Sequence, residues 1–103
     1  MELIETPVFT RQVIAQLEDD EYRVLQLCLL HQPERGVIIP GSGGLRKLRW
    51  RLPGRGTRGG ARIIYFWKRT RGRVYLLFLY PKNVQSDLSR AQLRVLRELV
   101  ADE

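Results

Sequence analysis

The sequence predicts an α+β fold: helices at the N-terminal end, a small antiparallel β-sheet in the middle and one helix at the C-terminal end. Apolar residues recur at helical spacing before residue 31 and again after residue 88. Between residues 45 and 80, three segments are rich in β-branched and aromatic residues. A chain of 103 residues is enough for one domain and not for two, so we expect residues 1–103 to form a single domain.

The first third predicts two helices. Thr6-Pro7 is typical of an N-cap followed by proline at the first helical position, and an apolar residue then recurs every four positions (Phe9, Val13, Leu17). The acidic run at residues 18–21 ends this helix and favours the start of another, because carboxylates stabilise a helix N-terminus. Apolar residues cover most of the circumference from residue 22 to 30, so we expect the second helix to be buried.

The middle third predicts a three-stranded antiparallel meander, and a fourth, N-terminal strand is allowed for. Residues 45–52 alternate between an apolar and a basic face. Residues 61–68 and 73–80 are almost continuously apolar, which indicates central strands covered on both faces. The short connection Arg69–Gly72 predicts that these two strands form a hairpin, and the glycines at 41–44 predict a loop with unusual backbone angles.

The C-terminal helix is predicted from its start signal. Ser89 and Gln92 fit a capping box, and Leu88 with Leu93 fits the hydrophobic staple around it. The predicted buried stripe follows the same spacing: Leu88, Gln92, Val95 or Leu96, and Leu99.

The charge is concentrated in the sheet. The chain has a formal net charge of +7, and residues 45–82 hold twelve of its eighteen Lys and Arg residues and no acid. A domain this basic most often binds a polyanion. The alternative is a merely soluble basic sheet.

Several classes of function are excluded by composition. The single cysteine, Cys28, excludes a disulfide scaffold and a cysteine zinc site, and the single histidine, His31, excludes two-histidine acid–base chemistry. We expect both to be structural residues of the second helix, and we expect no metal or cofactor. No run approaches 18 apolar residues and the N-terminus does not resemble a signal peptide, so we expect no membrane association and a cytoplasmic location.

A glycine-rich segment, Gly54–Gly59, has the G-x-G-x-x-G spacing of dinucleotide sites. A strand rather than a helix follows it, and no carboxylate is available to bind a ribose, so we discard that interpretation. Two interpretations stay open: a flexible loop between strands, or a loop whose backbone and arginines, Arg55 and Arg58, approach phosphates.

The remaining group of candidate residues is cationic. Period-two spacing places Lys47, Arg49 and Arg51 on one face of one strand, and Lys82 follows the last strand. Arg62 interrupts an otherwise apolar strand, where an unpaired charge is costly. Either it forms a structural ion pair with a distant acid such as Asp87, or it waits for a phosphate. Such a group could stabilise the phosphorane formed when an RNA 2′-oxygen attacks its own phosphate.

The residues also resemble a known family. The resemblance is to HigB-type toxins of the RelE superfamily, and it runs in order through Asp20–Arg23, Gly43–Arg49, the loop at 54–60, Arg62–Tyr65, Tyr75–Leu77, Tyr80–Asn83 and Asp87–Leu88. It implies a RelE-like fold and a ribosome-dependent mRNA interferase of a type II toxin–antitoxin pair, which cuts translated mRNA in the ribosomal A site. It also implies a helix-turn-helix antitoxin of the HigA type as partner.

The resemblance assigns catalytic roles by position. Lys47 is the candidate base, Arg49 and Arg62 stabilise the phosphate, and Lys82 is a further cation. Asn83 stands where the best-studied pattern has a second late cation, and Ser89 stands near the place of its tyrosine, for which Tyr80 is the candidate substitute. The expected RNA- and ribosome-binding residues are Arg46, Arg51, Arg55, Arg58, Tyr80 and Asn83.

Two other functions compete with this one. A non-catalytic RNA- or ribosome-binding module would use the same basic sheet, and it would differ by showing no turnover. A DNA-binding regulator is the third hypothesis, but no helix-turn-helix pattern supports it.

Overall fold

The computed structural model describes residues 1–52 and 60–103. Within them the chain forms these elements in order: β1 (Glu2–Glu5), α1 (Pro7–Gln16), α2 (Asp19–His31), β2 (Val37–Ile38), β3 (Leu45–Trp50), β4 (Ala61–Lys68), a 3₁₀ turn (Arg69–Arg71), β5 (Arg73–Pro81) and α3 (Arg90–Val100). The predicted α+β class and its order of helices, sheet and helix are therefore confirmed.

The described part of the sheet has five strands in the order β1-β5-β4-β3-β2, so the prediction of a three-stranded meander was too small. The meander β3-β4-β5 is antiparallel, as expected, and Gly72 closes its hairpin in the left-handed region at φ 60°. The fourth, N-terminal strand exists as β1, but it pairs parallel to β5, which makes the sheet mixed. The remaining strand, β2, has only two residues and pairs with β3.

Thr6 fastens the start of α1 to β5. Its Oγ1 accepts a hydrogen bond from the Phe9 amide at 3.1 Å and donates one to the Leu77 carbonyl at 3.0 Å. The Thr6 amide in turn donates to the Leu76 carbonyl at 3.0 Å. The predicted N-cap is thus confirmed, and it also places α1 over β5.

Helices cover both faces of the sheet. On one face, α1 and α2 pack Phe9, Val13, Leu25 and Leu29 against inward-facing strand residues such as Ile63. On the other face, α3 contributes Leu96 and Val100 to a second core that includes Leu45, Ile64, Leu77 and Tyr80. β4 and β5 are therefore central strands buried on both sides, as predicted.

The helices bury less than their sequences predicted. In α2 only Leu25 and Leu29 are buried, whereas Val24, Leu27 and Leu30 are exposed, because the sheet covers this helix on one side only. Cys28 is half-buried rather than a core residue, and its Sγ accepts a hydrogen bond from Arg35 Nη1 at 3.2 Å. His31 lies exposed at the end of α2.

The buried stripe of α3 was also predicted one residue off. Leu96 and Val100 are its buried residues, while Val95 and Leu99 point away from the core and are exposed. The capping box of Ser89 and Gln92 is present as predicted. Within the described residues, none of the helices is long and apolar enough to span a membrane.

Candidate functional site

A row of three side chains crosses the sheet on the face that α3 partly covers. Arg49 of β3 lies directly opposite Arg62 of β4, and Arg62 lies directly opposite Tyr80 of β5. Residues opposite each other on neighbouring strands share a face, and the tyrosine belongs to the core beneath α3. The register therefore brings together two of the predicted catalytic arginines and the candidate tyrosine.

Arg62 is the buried member of this row. It is only 9% exposed, and its Nη1 donates to the Ala61 carbonyl at 3.2 Å. Asp87, which the sequence offered as its ion-pair partner, contacts a different residue, and among residues 1–52 and 60–103 no acid forms an ion pair with Arg62. A buried guanidinium without a carboxylate favours an anionic ligand.

Lys47 lies two residues before Arg49 on the same face, and it holds the acid instead. Its Nζ lies 3.4 Å from Asp87 Oδ1, in the loop that precedes α3. The lysine side chain is one-quarter exposed and the aspartate side chain is largely exposed. Asp87 also accepts a hydrogen bond from the Leu88 amide at 3.0 Å, which fixes the carboxylate at the start of α3.

Tyr80 carries a buried hydroxyl that lacks a hydrogen-bond partner within the described residues. The side chain is 2% exposed, and its ring centroid lies 6.0 Å from that of Phe78. Burial raises the pKa of the Tyr80 hydroxyl above its ordinary value; the charge of Asp87 acts in the same direction, and that of Arg62 lowers it. This hydroxyl therefore keeps its proton at neutral pH and can donate it in a hydrogen bond.

Other predicted site residues lie at the end of the sheet beside this row. Lys82 follows β5, its side chain is exposed, and its amide donates to the Gly60 carbonyl at 2.9 Å. Asn83 and Arg51 are also exposed, and Arg51 directly follows β3. The predicted loop residues Arg55 and Arg58 lie outside the described residues.

Arg46 is not brought to this face. It pairs across the strands with Tyr65, whose ring lies in the core beneath α1 and α2. Its Nη1 donates to the carbonyls of Glu34 and Gly36, at 3.0 Å and 2.8 Å. The guanidinium therefore binds the segment after α2 rather than facing the cationic row.

We name the set Lys47, Arg49, Arg62 and Lys82 the cationic row, with Tyr80 beside it. Each cation alone is an ordinary basic residue, but together they leave positive charge unneutralised around a hydroxyl that can donate a hydrogen bond. Phosphate, with several acceptor oxygens and negative charge, suits this arrangement. In the described part of the chain, no group of His, Cys, Asp and Glu residues could hold a metal ion.

Sequence reasoning missed the contact between Lys47 and Asp87. The two residues are 40 positions apart, and no periodicity connects them. One signal could have identified it: Asp87 is the only acid between residues 45 and 97, so any lysine or arginine on that face has a single candidate partner.

The fold and the site define a class: a small α+β protein that presents an unneutralised cationic row on one face of its sheet. Residues 8–102 match a family model described as the RelE toxin of the RelE / RelB toxin-antitoxin system. The chain belongs to this toxin family, and membership implies an antitoxin as its partner.

A solved structure supports the fold. The chain is similar to a mutant of the Escherichia coli toxin RelE in the free state, with a TM-score of 0.56 and 15% sequence identity. The match covers 82% of this chain and 85% of that one. At this level of identity the likeness concerns the fold alone.

Proposed function

We propose that the chain is a ribosome-dependent endoribonuclease of the HigB-type branch, which cleaves translated mRNA in the A site and so inhibits translation. One observation carries the proposal: Arg49 and Arg62 are direct cross-strand neighbours, and neither forms an ion pair with an acid in the described residues. Two like charges opposite each other destabilise a free sheet, and a bound phosphate removes that cost.

The proposed reaction is attack by the RNA on itself. A base removes the proton of the 2′-OH, the 2′-oxygen forms a bond to the adjacent phosphorus, and the 5′-oxygen leaves with its electron pair and takes up a proton. Lys47 is our candidate base, Arg49 and Arg62 stabilise the charge on the phosphorane, and Lys82 adds a further cation. DNA lacks the 2′-OH, so this reaction is specific to RNA.

Outside the reacting atoms, we assign RNA and ribosome contacts to exposed bases near the row. Arg51 and Asn83 lie at the end of the sheet, and Tyr80 offers its hydroxyl to a phosphate oxygen. Arg55 and Arg58 belong to the same proposal through the sequence alone. Arg46 contributes indirectly, since its guanidinium positions the segment after α2.

The partner in this proposal is a helix-turn-helix antitoxin of the HigA type, and both proteins act in the cytoplasm. An antitoxin from the neighbouring gene should relieve growth arrest caused by the chain. Harmless expression at high level, with intact polysomal mRNA, would contradict the proposal.

One observation favours the alternative of a non-catalytic binding module. Lys47, the candidate base, contacts Asp87 in the free protein rather than standing open for a substrate. Programmed ribosomes incubated with sub-stoichiometric protein separate the two functions. An endoribonuclease cuts more A-site mRNA than there are protein molecules, whereas a binding module leaves the mRNA intact. Primer extension on mRNA from cells after brief induction then maps the cuts.

A further inference from the structure

An apolar groove of about 480 Å³ runs between α1 and α3 on the α3 side of the sheet. Its floor is Leu77 and Phe78 of β5. One wall is the start of α1, with Pro7 and Val8, and the other wall is α3. The α3 wall comprises Ala91, Gln92, Val95, Leu96 and Leu99.

The groove exposes large apolar side chains from both walls. Val8 is 41% exposed, Val95 57% and Leu99 54%. No charged residue of the described chain lines it. Contiguous apolar surface of this kind, concave and built from three elements, marks an interaction site rather than ordinary surface variation.

The floor of the groove leads to the cationic row. Phe78 stands two residues before Tyr80 on β5, a distance of about 7 Å along a strand, and their rings are 6.0 Å apart. Tyr80 is the direct neighbour of Arg62. A molecule seated in the groove therefore ends one side chain away from the proposed site.

The form of the occupant follows from the sheet. β5 pairs with β4 on one side and with β1 on the other, so the groove offers the face of a strand and no free edge. An extended peptide could not add itself to the sheet here by main-chain hydrogen bonds. Binding must come from side chains that pack into an apolar channel, which is how an amphipathic helix docks.

We propose that this groove docks an amphipathic helix of the antitoxin; the inference rests on the proposed toxin function. The helix places apolar residues at positions i, i+3 or i+4, and i+7 against Val8, Val95 and Leu99. Its other residues include carboxylates, because residues 45–82 carry twelve cations and no acid and attract a partner of opposite charge. Seated there, the helix blocks access to Tyr80 and Arg62 from the side of β5.

The test compares two pairs of variants matched for exposure. Val95→Glu and Leu99→Glu each place a charge in the groove. Val24→Glu and Leu27→Glu place the same charge on the outer apolar face of α2, at residues that are 57% and 58% exposed. All four positions lie largely outside the two cores, so thermal melting should show all four variants folded.

Binding of each variant to the antitoxin encoded by the neighbouring gene is measured by calorimetry, and A-site cleavage is measured without antitoxin. We expect both groove variants to bind at least about tenfold more weakly, to remain toxic in the presence of antitoxin and to cleave like the wild type. The α2 variants should bind the antitoxin normally.

Wild-type antitoxin affinity in both groove variants, or a loss confined to the α2 variants, would overturn the docking site. The same holds if the groove variants change the oligomeric state of the free chain in sedimentation without affecting antitoxin binding, because the occupant is then a second copy. Absence of cleavage by the wild-type chain contradicts the proposed function instead, and calorimetry still decides the docking site.

Discussion

Arg49 and Arg62 are directly opposed on adjacent antiparallel strands, so two guanidinium groups occupy one cross-strand pair. An isolated sheet gains nothing from such a pair, because like charges facing each other across two strands are destabilising. Arg62 is in addition buried and hydrogen-bonded to the backbone of its own strand. The pair is therefore explained by a ligand that brings negative charge, which makes it the first target for mutation.

Arg62→Ala should separate folding from catalysis. Because no acid in the described residues pairs with Arg62, its removal strands no buried carboxylate. We expect a near-normal melting temperature, retained ribosome binding and A-site cleavage slower by about 10²–10³, the effect of losing one transition-state charge donor. Single-turnover cleavage and thermal melting on the same preparation measure both effects.

Arg71→Ala is the matched control, since it removes the same charge from an exposed turn at the opposite end of β4. It should cleave normally. An unfolded Arg62→Ala protein would show that Arg62 has a structural role, and a stable one with full activity would remove it from the site.

Asp87→Asn should strengthen RNA binding. The carboxylate of Asp87 neutralises Lys47 in the free protein, and a phosphate must compete with it. We expect affinity for a short single-stranded RNA to rise about two- to fivefold at low salt, which corresponds to an exposed ion pair of up to ~1 kcal/mol. Fluorescence anisotropy over a salt series measures the change.

Asp102→Asn, which removes an exposed carboxylate after α3, controls for net charge alone. Equal gains in RNA affinity in the two variants would mean that Asp87 has no specific effect on Lys47.

Tyr22 should make the fold sensitive to alkaline pH. Burial raises the pKa of its hydroxyl above the ordinary value near 10, and the hydrogen bond to Glu5 adds to the rise. The folded state therefore binds the proton more tightly than the unfolded state, so this contribution to stability is complete below pH 10 and falls as the pH rises above it. Urea unfolding at pH 8 and pH 11 should show a smaller loss of stability in Tyr22→Phe than in the wild type. Identical losses in the two proteins would contradict this assignment.

Tyr65 joins the sheet to the segment after α2. Its buried hydroxyl donates to the Pro33 carbonyl at 2.7 Å and accepts from the Gly36 amide at 2.8 Å. Tyr65→Phe leaves these backbone groups unsatisfied, and we expect it to lower the free energy of unfolding by about 1–3 kcal/mol. Denaturant titration measures the loss, and a change below about 0.5 kcal/mol would show that water replaces the hydroxyl.

His31→Gln should change very little. The histidine is exposed at the end of α2, away from the cationic row, so we expect a stability change within about 0.5 kcal/mol. Cleavage per folded molecule should stay at the wild-type rate. A loss of about a hundredfold in a folded variant would be the scale of a missing acid–base group and would return His31 to the site.

Local signals predicted much of this fold. Thr6-Pro7 predicted the start of α1, Ser89 with Gln92 predicted the start of α3, and the apolar run at 61–68 has the bounds of β4. Each of these features depends on neighbours within a few residues. The two-residue strand β2 has no such signal, since it forms only because Val37 and Ile38 lie beside β3.

The site was harder to predict than the fold. Period two places Lys47 and Arg49 on one face, but it does not set the register with the next strand. That Arg49 meets Arg62, and that Asp87 meets Lys47 rather than Arg62, depends on pairing across the sheet and on where the loop before α3 returns. The exposed apolar faces of α2 and α3 have the same origin, because periodicity measures apolar content and not which side a partner covers.

The parallel pairing of β1 with β5 sets an order for the synthesis of this chain. Residues 2–5 leave the ribosome first, yet their hydrogen-bonding partners are residues 73–76. Thr6 likewise waits for the carbonyls of Leu76 and Leu77 before α1 can dock. Contacts this distant along the chain form slowly and only after most of it has been made. The face that carries Arg62 and Tyr80 is therefore assembled at the end of translation, so a nascent chain is harmless to the ribosome that is making it.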